Sequence, residues 1–360
     1  MSELLFEPLQ LGDLRLANRI VMAPMTRNRA DADGVPNALM AEYYGQRGDA
    51  GLIVAEGTWP SAVGQSYCRQ PGIATPAQIA GWKRVTDAVH ARGGLIVLQV
   101  IHGGRIGSRH IKPEGVETVA PSALQAAGEV VTDSAGMQPY DLPRALNTEE
   151  VRAVVQEHAQ AARNAREAGF DGVELHGTSG YLPMQFLSSG TNQRTDEYGG
   201  TAAHRARFAF ECLREMAAAI GASRVGLRLN PGNTYNDTSD ENSAATHAEL
   251  MRQAATLGLA YLHVMRAPMP EVDAFALARQ HFGGRLILND SLGPDNADAM
   301  LQDYPGAALS FARHFIGNPD LVSRLRAGRP LSRFDRKTLY TPGAAGYTSY
   351  DSYCTDPATA

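Results

Sequence analysis

The stretch VELHGTSGYL, Val173 to Leu182, sets a histidine, a serine and a tyrosine at positions 176, 179 and 181 at the end of an apolar run. Two readings fit these residue types. A lone histidine closing a strand is by default a hydrogen-bonded core group. The same trio could instead aim neutral donors at a substrate oxygen, with the tyrosine as a weak acid. Other polar residues close apolar runs in the same way: Thr26, Glu56, Gly57, Gln99, His102, Arg228, Asn230, His263, Arg266, Asn289, Asp290 and Arg313. The set holds no poised carboxylate pair and no metal-ligand cluster. Ser179 lies in G-T-S-G, which is not the G-x-S-x-G nucleophile elbow. Neutral donors with isolated arginines suit a planar, polar, anionic ligand.

The elements that must position these groups are short. RIVMAP, LIVAEGT, LIVLQVIH, FDGVELHG, RVGLRLN, LAYLHVM, RLILND and AALSFAR are β-branched, apolar nearly throughout and too brief for helices. That is how strands buried on both faces of a parallel sheet read. Helical periodicity lies between them. It is clearest in NTEEVRAVVQEHAQAARNAREAG, where Asn147 and Glu150 form a capping box and Gly169 marks the end. Further stripes fall at about 76–92, 203–220, 243–257, 295–303 and 318–326. No G-x-G-x-x-G follows a strand. The pattern predicts an α/β fold, a single (β/α)8 TIM barrel over residues 1–360. Residues 1–18 read as an N-terminal hairpin cap on the barrel bottom. Residues 103–147 read as a lid-like loop insertion after strand 3, and 329–360 as a C-terminal tail over the top. Catalytic groups of such barrels sit at the C-terminal ends of strands, with phosphate held after strands seven and eight, near Arg313.

The bulk properties narrow the partners. A net charge of −5 gives no basic footprint for nucleic acid, and no apolar window approaches a membrane span. Cys68, Cys212 and Cys354 are far apart, so neither a zinc nor an iron–sulfur site is expected. The odd count, with no signal-peptide pattern at the N-terminus, points to the reducing cytoplasm.

With these residues in place, the sequence resembles the Old Yellow Enzyme family of FMN-dependent ene-reductases. LFEPLQLGDLRLANRIVMAPMTRNRA, LMAEYYGQR, GLIVAEGT, GWKRVTDAVHARGG, AGFDGVELHG, NQRTDEYGG, RVGLRLNP, LAYLHV, FIGNPDL and GYTSY match it in order over nearly the whole chain. The resemblance implies bound FMN, NADPH or NADH as transient reductant, and a small-molecule substrate, an α,β-unsaturated carbonyl or nitro compound. It places Pro24, Met25, Thr26, Gly57 and Gln99 against the isoalloxazine and Arg228 beside its N1. Asn289, Ser291, Ala312 and Arg313 fall at the phosphate loops. His176 and Ser179 fall at the pair that binds the substrate oxygen. Tyr181 falls at the proton donor, and Tyr67, Ile101 and Tyr340 line the substrate pocket. The chain also departs from the family. Serine stands at 179 where the partner is histidine or asparagine, and Ile101 where tryptophan is usual, which would widen the pocket. Asn289 to Ser291 replace a Gly-Gly, and Ala312 replaces a glycine. These changes motivate a second reading, a paralogue with weakened FMN binding that serves as a ligand-binding or scaffold protein.

Overall fold

The computed structural model describes residues 3–267, 271–289, 292–293 and 295–352. Eight parallel strands close into a barrel. They are β1 (Ile20–Met22), β2 (Leu52–Val54), β3 (Ile96–Val100), β4 (Gly172–Gly177), β5 (Val225–Leu229), β6 (Tyr261–Met265), β7 (Leu286–Asn289) and β8 (Ala308–Phe311), with β8 pairing back onto β1. These are the eight apolar runs of the sequence, and the (β/α)8 expectation holds.

The helices are α1 (Ala38–Gly45), α2 (Pro76–His90), α3 (Thr148–Glu167), α4 (Leu182–Leu187), α5 (Ala202–Ile220), α6 (Ser243–Ala255), α7 (Ala274–His281), α8 (Ala297–Asp303), α9 (Arg313–Gly317) and α10 (Leu321–Arg326). The local chemistry sets their ends. At α3, Glu150 N donates to Asn147 Oδ1 at 2.9 Å and Asn147 N donates to Glu150 Oε2 at 2.8 Å. The chain then leaves the helix through Gly169 at φ +90°. No described helix is long and apolar enough to cross a membrane.

Side-chain alternation along the strands builds two interiors. Val173, Leu175, Leu227 and Val264 join the core packed against the helices. Val21, Leu52, Val54, Val97, Tyr261, Ile287 and Ala308 form a second cluster, which Leu11, Leu14 and Leu16 of the hairpin Leu9–Leu11/Leu14–Leu16 complete. Further toward the C-terminal strand ends the interior turns polar. Gln99, Glu174, His263 and Ser310 are each 2% exposed or less. Strands that read as apolar on both faces therefore still carry a buried polar layer.

The insertion carries a hairpin, Glu129–Thr132 with Gly136–Pro139, and a short parallel pair, Val119–Ala120 with Arg144–Ala145. The tail is tied to the segment after β1. Tyr347 stacks on Tyr43 at 3.9 Å between centroids, Arg27 Nη2 donates to the Gly346 carbonyl, and Arg29 donates to the carbonyls of Thr338 and Leu339.

Candidate active site at the barrel mouth

The strand register brings the singled-out residues together. Glu174 on β4 pairs with Gln99 on β3, His176 with Arg228 on β5, and Arg228 with His263 on β6. Paired residues of neighbouring strands face the same side, so these five side chains share the barrel interior.

Glu174 is the hub of this layer. Gln99 Nε2 donates to its Oε1 at 2.7 Å, and His263 Nδ1 lies 2.9 Å from its Oε2. His263 Nε2 lies 2.8 Å from Ser310 Oγ. Burial pulls the carboxyl toward neutrality, but His263 and Arg228 beside it outweigh that and hold it below the usual carboxylate range. Burial lowers His263 below the usual imidazole range, the Glu174 charge opposes that, and the ring is fixed between Glu174 on its Nδ1 side and the Ser310 hydroxyl on its Nε2 side. Arg228 is then the fixed cation of the layer. Its Nη2 donates to Asn289 Oδ1 at 3.0 Å, and Asn289 Nδ2 donates to the Ser310 carbonyl at 3.0 Å. The Asn289 side chain is thus committed to the barrel wall. The phosphate-loop expectation for Ser291 lies outside the described residues.

Above this layer, His176 is 8% exposed. Burial, and then the Arg228 charge, pushes its imidazole down to about 3. The backbone N–H of Thr178 reaches His176 Nδ1 at 3.3 Å. That bond makes Nδ1 the acceptor and leaves the ring proton on Nε2. Tyr181 stands edge-on to the His176 ring at 4.8 Å, and its hydroxyl lies 2.7 Å from that of Tyr67. Two residues in left-handed conformation turn the chain between them, Ser179 at φ +57° and Gly180 at φ +76°. Ser179 is half-buried, with Oγ 3.1 Å from Thr178 Oγ1, and Asn236 Nδ2 donates to its carbonyl.

Two cavities open here. One of about 400 Å³ is lined by Thr26, Tyr67, Tyr181, Tyr235, Tyr340 and hairpin residues including Val130 and Met137. The other, about 380 Å³, is lined by Met25, Thr26, Ala312, Arg313, Arg336 and Tyr340, among others. Thr26 and Tyr340 belong to both, so the two adjoin. Pro24, Met25 and Thr26 are half-buried at the mouth, and Arg313 is exposed. Ile101, expected to widen the wall, clusters with Tyr181. It is 1% exposed and packs as well with Ile106 and Tyr140 of the insertion. A larger cavity, about 710 Å³, lies within the insertion among Arg109, Lys112, Glu117 and Asp141 and contains none of the strand-end residues.

The residues fit a flavin mononucleotide. Arg228 Nε is buried with no partner among the described residues, a donor left for a ligand. Gly57 offers a flat strand end, and a Cβ there would stand 3.0 Å from Ile101 Cγ2. Arg313 and Arg336 put two cations on the second cavity, suited to a phosphate.

The comparisons with known proteins agree with this geometry. Residues 4–332 match the model of the NADH:flavin oxidoreductase / NADH oxidase family. The chain belongs to that family. It is 42% identical to a probable flavin mononucleotide-dependent alkene reductase of Leishmania infantum, over 97% of each chain. It is 38% identical to 12-oxophytodienoate reductase 1 of Oryza sativa subsp. japonica, over 96% of this chain and 92% of that one. Morphinone reductase in complex with tetrahydroNAD superposes with a TM-score of 0.93 at 43% identity, covering 99% of both chains. The old yellow enzyme homologue of Zymomonas mobilis also gives 0.93, at 38% identity over 96% of this chain and 99% of that one. This member of the flavin oxidoreductases is therefore an enzyme of the Old Yellow Enzyme type, FMN-dependent and NAD(P)H-driven, that reduces activated carbon–carbon double bonds.

Sequence reasoning missed Glu174, Ser310, Arg27 and Arg29. Glu174 carried a signal: a carboxylate inside a strand buried on both faces, two residues before His176 and so on the same face. Arg27 and Arg29 bind the tail that presents Tyr340, and nothing in their local sequence marks partners some 310 residues away.

Proposed function

We propose that His176 polarises the oxygen of an α,β-unsaturated carbonyl or nitro substrate in the 400 Å³ cavity and that Tyr181 protonates its α-carbon. The observation that carries this reading is the His176 tautomer. With Nδ1 occupied by the Thr178 N–H, the neutral ring presents Nε2–H as a fixed donor. A neutral donor strengthens its bond as negative charge grows on the oxygen, and one well-placed donor of this kind is worth ~3–4 kcal/mol. Bound FMN supplies hydride acceptance from NADPH or NADH and hydride donation to the alkene. Gln99, Gly57, Thr26 and Arg228 would hold its ring system, and Arg313 with Arg336 its phosphate. Burial raises the Tyr181 phenol, so it stays protonated until the substrate carbon demands the proton. The aromatic rim, Tyr67, Tyr140, Tyr235 and Tyr340, favours apolar enones. A scaffold role would not require the oriented histidine or the balanced charges beneath it.

The test compares two variants of the FMN-loaded enzyme. His176→Ala should weaken 2-cyclohexenone binding at least tenfold. Tyr181→Phe should leave binding and reduction by NAD(P)H intact while slowing enone turnover. Unchanged enone binding in His176→Ala would remove the polarising role.

A further inference from the structure

Tyr181 must keep its own O–H free for a substrate carbon. Among the described residues its hydroxyl partner is the Tyr67 hydroxyl, at 2.7 Å. Either oxygen could donate in that contact, yet only one direction is compatible with proton delivery: Tyr67 donates and Tyr181 accepts. We propose that Tyr67 is the second member of a proton-delivery pair, donating to the Tyr181 oxygen and returning a proton to it after each turnover. The inference rests on the reading of Tyr181 as proton donor.

The surroundings suit the role. Both tyrosines line the same cavity, but Tyr181 is buried at 8% exposure whereas Tyr67 is half-buried, so Tyr67 is the more solvent-accessible of the two. Both hydroxyls are held in place. Gln70 Oε1 accepts from the backbone N–H groups of Ser66 and Tyr67, and Gln70 Nε2 donates to the Gly57 carbonyl, which pins the Tyr67 loop to the end of β2. Gln185 Nε2 donates to the carbonyls of Gly180 and Gly103, which pins the Tyr181 turn to the end of β3. Burial raises the Tyr181 phenol, and the bond from Tyr67 opposes that rise. A donated bond to a developing phenolate is charge-assisted and stronger than one to a neutral phenol.

The step balances as follows. Hydride, supplied by the established activity, adds to the β-carbon as the C=C π bond shifts to the enolate. The Tyr181 O–H bond breaks as a C–H bond forms at the α-carbon. The Tyr67 proton moves across the 2.7 Å contact to Tyr181, and Tyr67 recovers a proton from cavity water. One proton is taken up from solvent per turnover.

The experiment follows reoxidation of the reduced holoenzyme by 2-cyclohexenone, which needs a proton on carbon, and by menadione, which does not. It uses Tyr67→Phe, Tyr181→Phe and the double variant, in H2O and D2O. The relay predicts that Tyr67→Phe slows the enone reaction about tenfold or more. The solvent isotope effect should rise, and menadione reoxidation should stay within about twofold. Adding Tyr67→Phe to Tyr181→Phe should change nothing further, since the pair acts as a unit. Enone reoxidation unchanged in Tyr67→Phe but slowed in Tyr181→Phe overturns the relay and leaves the Tyr181 reading standing. Equal slowing of enone and menadione also overturns it, since a damaged pocket would do that. An unaffected Tyr181→Phe enzyme removes the Tyr181 reading and the relay with it.

Discussion

Replacing Glu174 by glutamine should cost both stability and cofactor affinity. The carboxylate is fully buried, takes bonds from Gln99 and His263, and faces Arg228, the fixed cation of the layer. Breaking a buried ion pair costs about 3–5 kcal/mol, because the surviving charge is left without a counter-ion. The amide keeps one acceptor for Gln99, which lowers the expected loss to about 2–4 kcal/mol. Unfolding entropy near 2.1 cal/mol/K per residue gives about 0.75 kcal/mol per kelvin for a chain of 360 residues, so Tm should fall by about 3–5 °C. The assay is thermal unfolding at a fixed excess of FMN, paired with fluorescence titration of FMN into the apoprotein. The Kd should rise about tenfold, because Gln99 and Arg228 lose the group that orients them. A Tm shift below about 1 °C with unchanged FMN affinity would refute the claim that Glu174 balances the layer.

Three further outcomes are expected. Ser179→Asn places a residue that tolerates left-handed backbone at φ +57° and lengthens the side chain toward the mouth; stability should hold or rise by about 0.5 kcal/mol and enone KM should fall several-fold. An unchanged KM would mean that position 179 does not touch substrate. Gly57→Ala drives its Cβ to 3.0 Å from Ile101 Cγ2, so it should lose about 1 kcal/mol in denaturant unfolding, and combined with Ile101→Ala, which removes Cγ2, it should lose less than the sum of the two single losses; additive losses in the double variant would contradict the contact. Stability should also fall in acid. His176 and His158 are pushed by burial down to about 3 and about 4, below the unfolded value near 6.5. The unfolded chain therefore binds protons first as pH drops. Their contribution, full above pH 6.5, shrinks by about 2 kcal/mol each by pH 5 and is lost as pH falls through 4 to 3. Urea midpoints equal at pH 7.5 and 5 would exclude this.

The barrel was legible because each strand is short, apolar and bounded, and because register then follows from closure. The mouth residues followed from that rule, since His176, Arg228 and Gln99 sit at strand ends by position alone. What escaped was pairing across the barrel. Glu174, His263 and Ser310 lie on three different strands, and no local pattern says that they touch. Ile101 likewise packs against Ile106 and Tyr140 of the insertion, a contact its own strand does not announce. Arg27 and Arg29 likewise find their acceptors on tail carbonyls, which carry no side-chain signature.

The most direct test of the account is anaerobic visible spectroscopy of the purified protein. The FMN-loaded enzyme should be yellow, bleach on addition of NADPH or NADH, and regain its colour with 2-cyclohexenone in step with appearance of cyclohexanone. Bleaching that enone fails to reverse, or recovery that yields the allylic alcohol, would contradict reduction of the activated carbon–carbon double bond at this mouth.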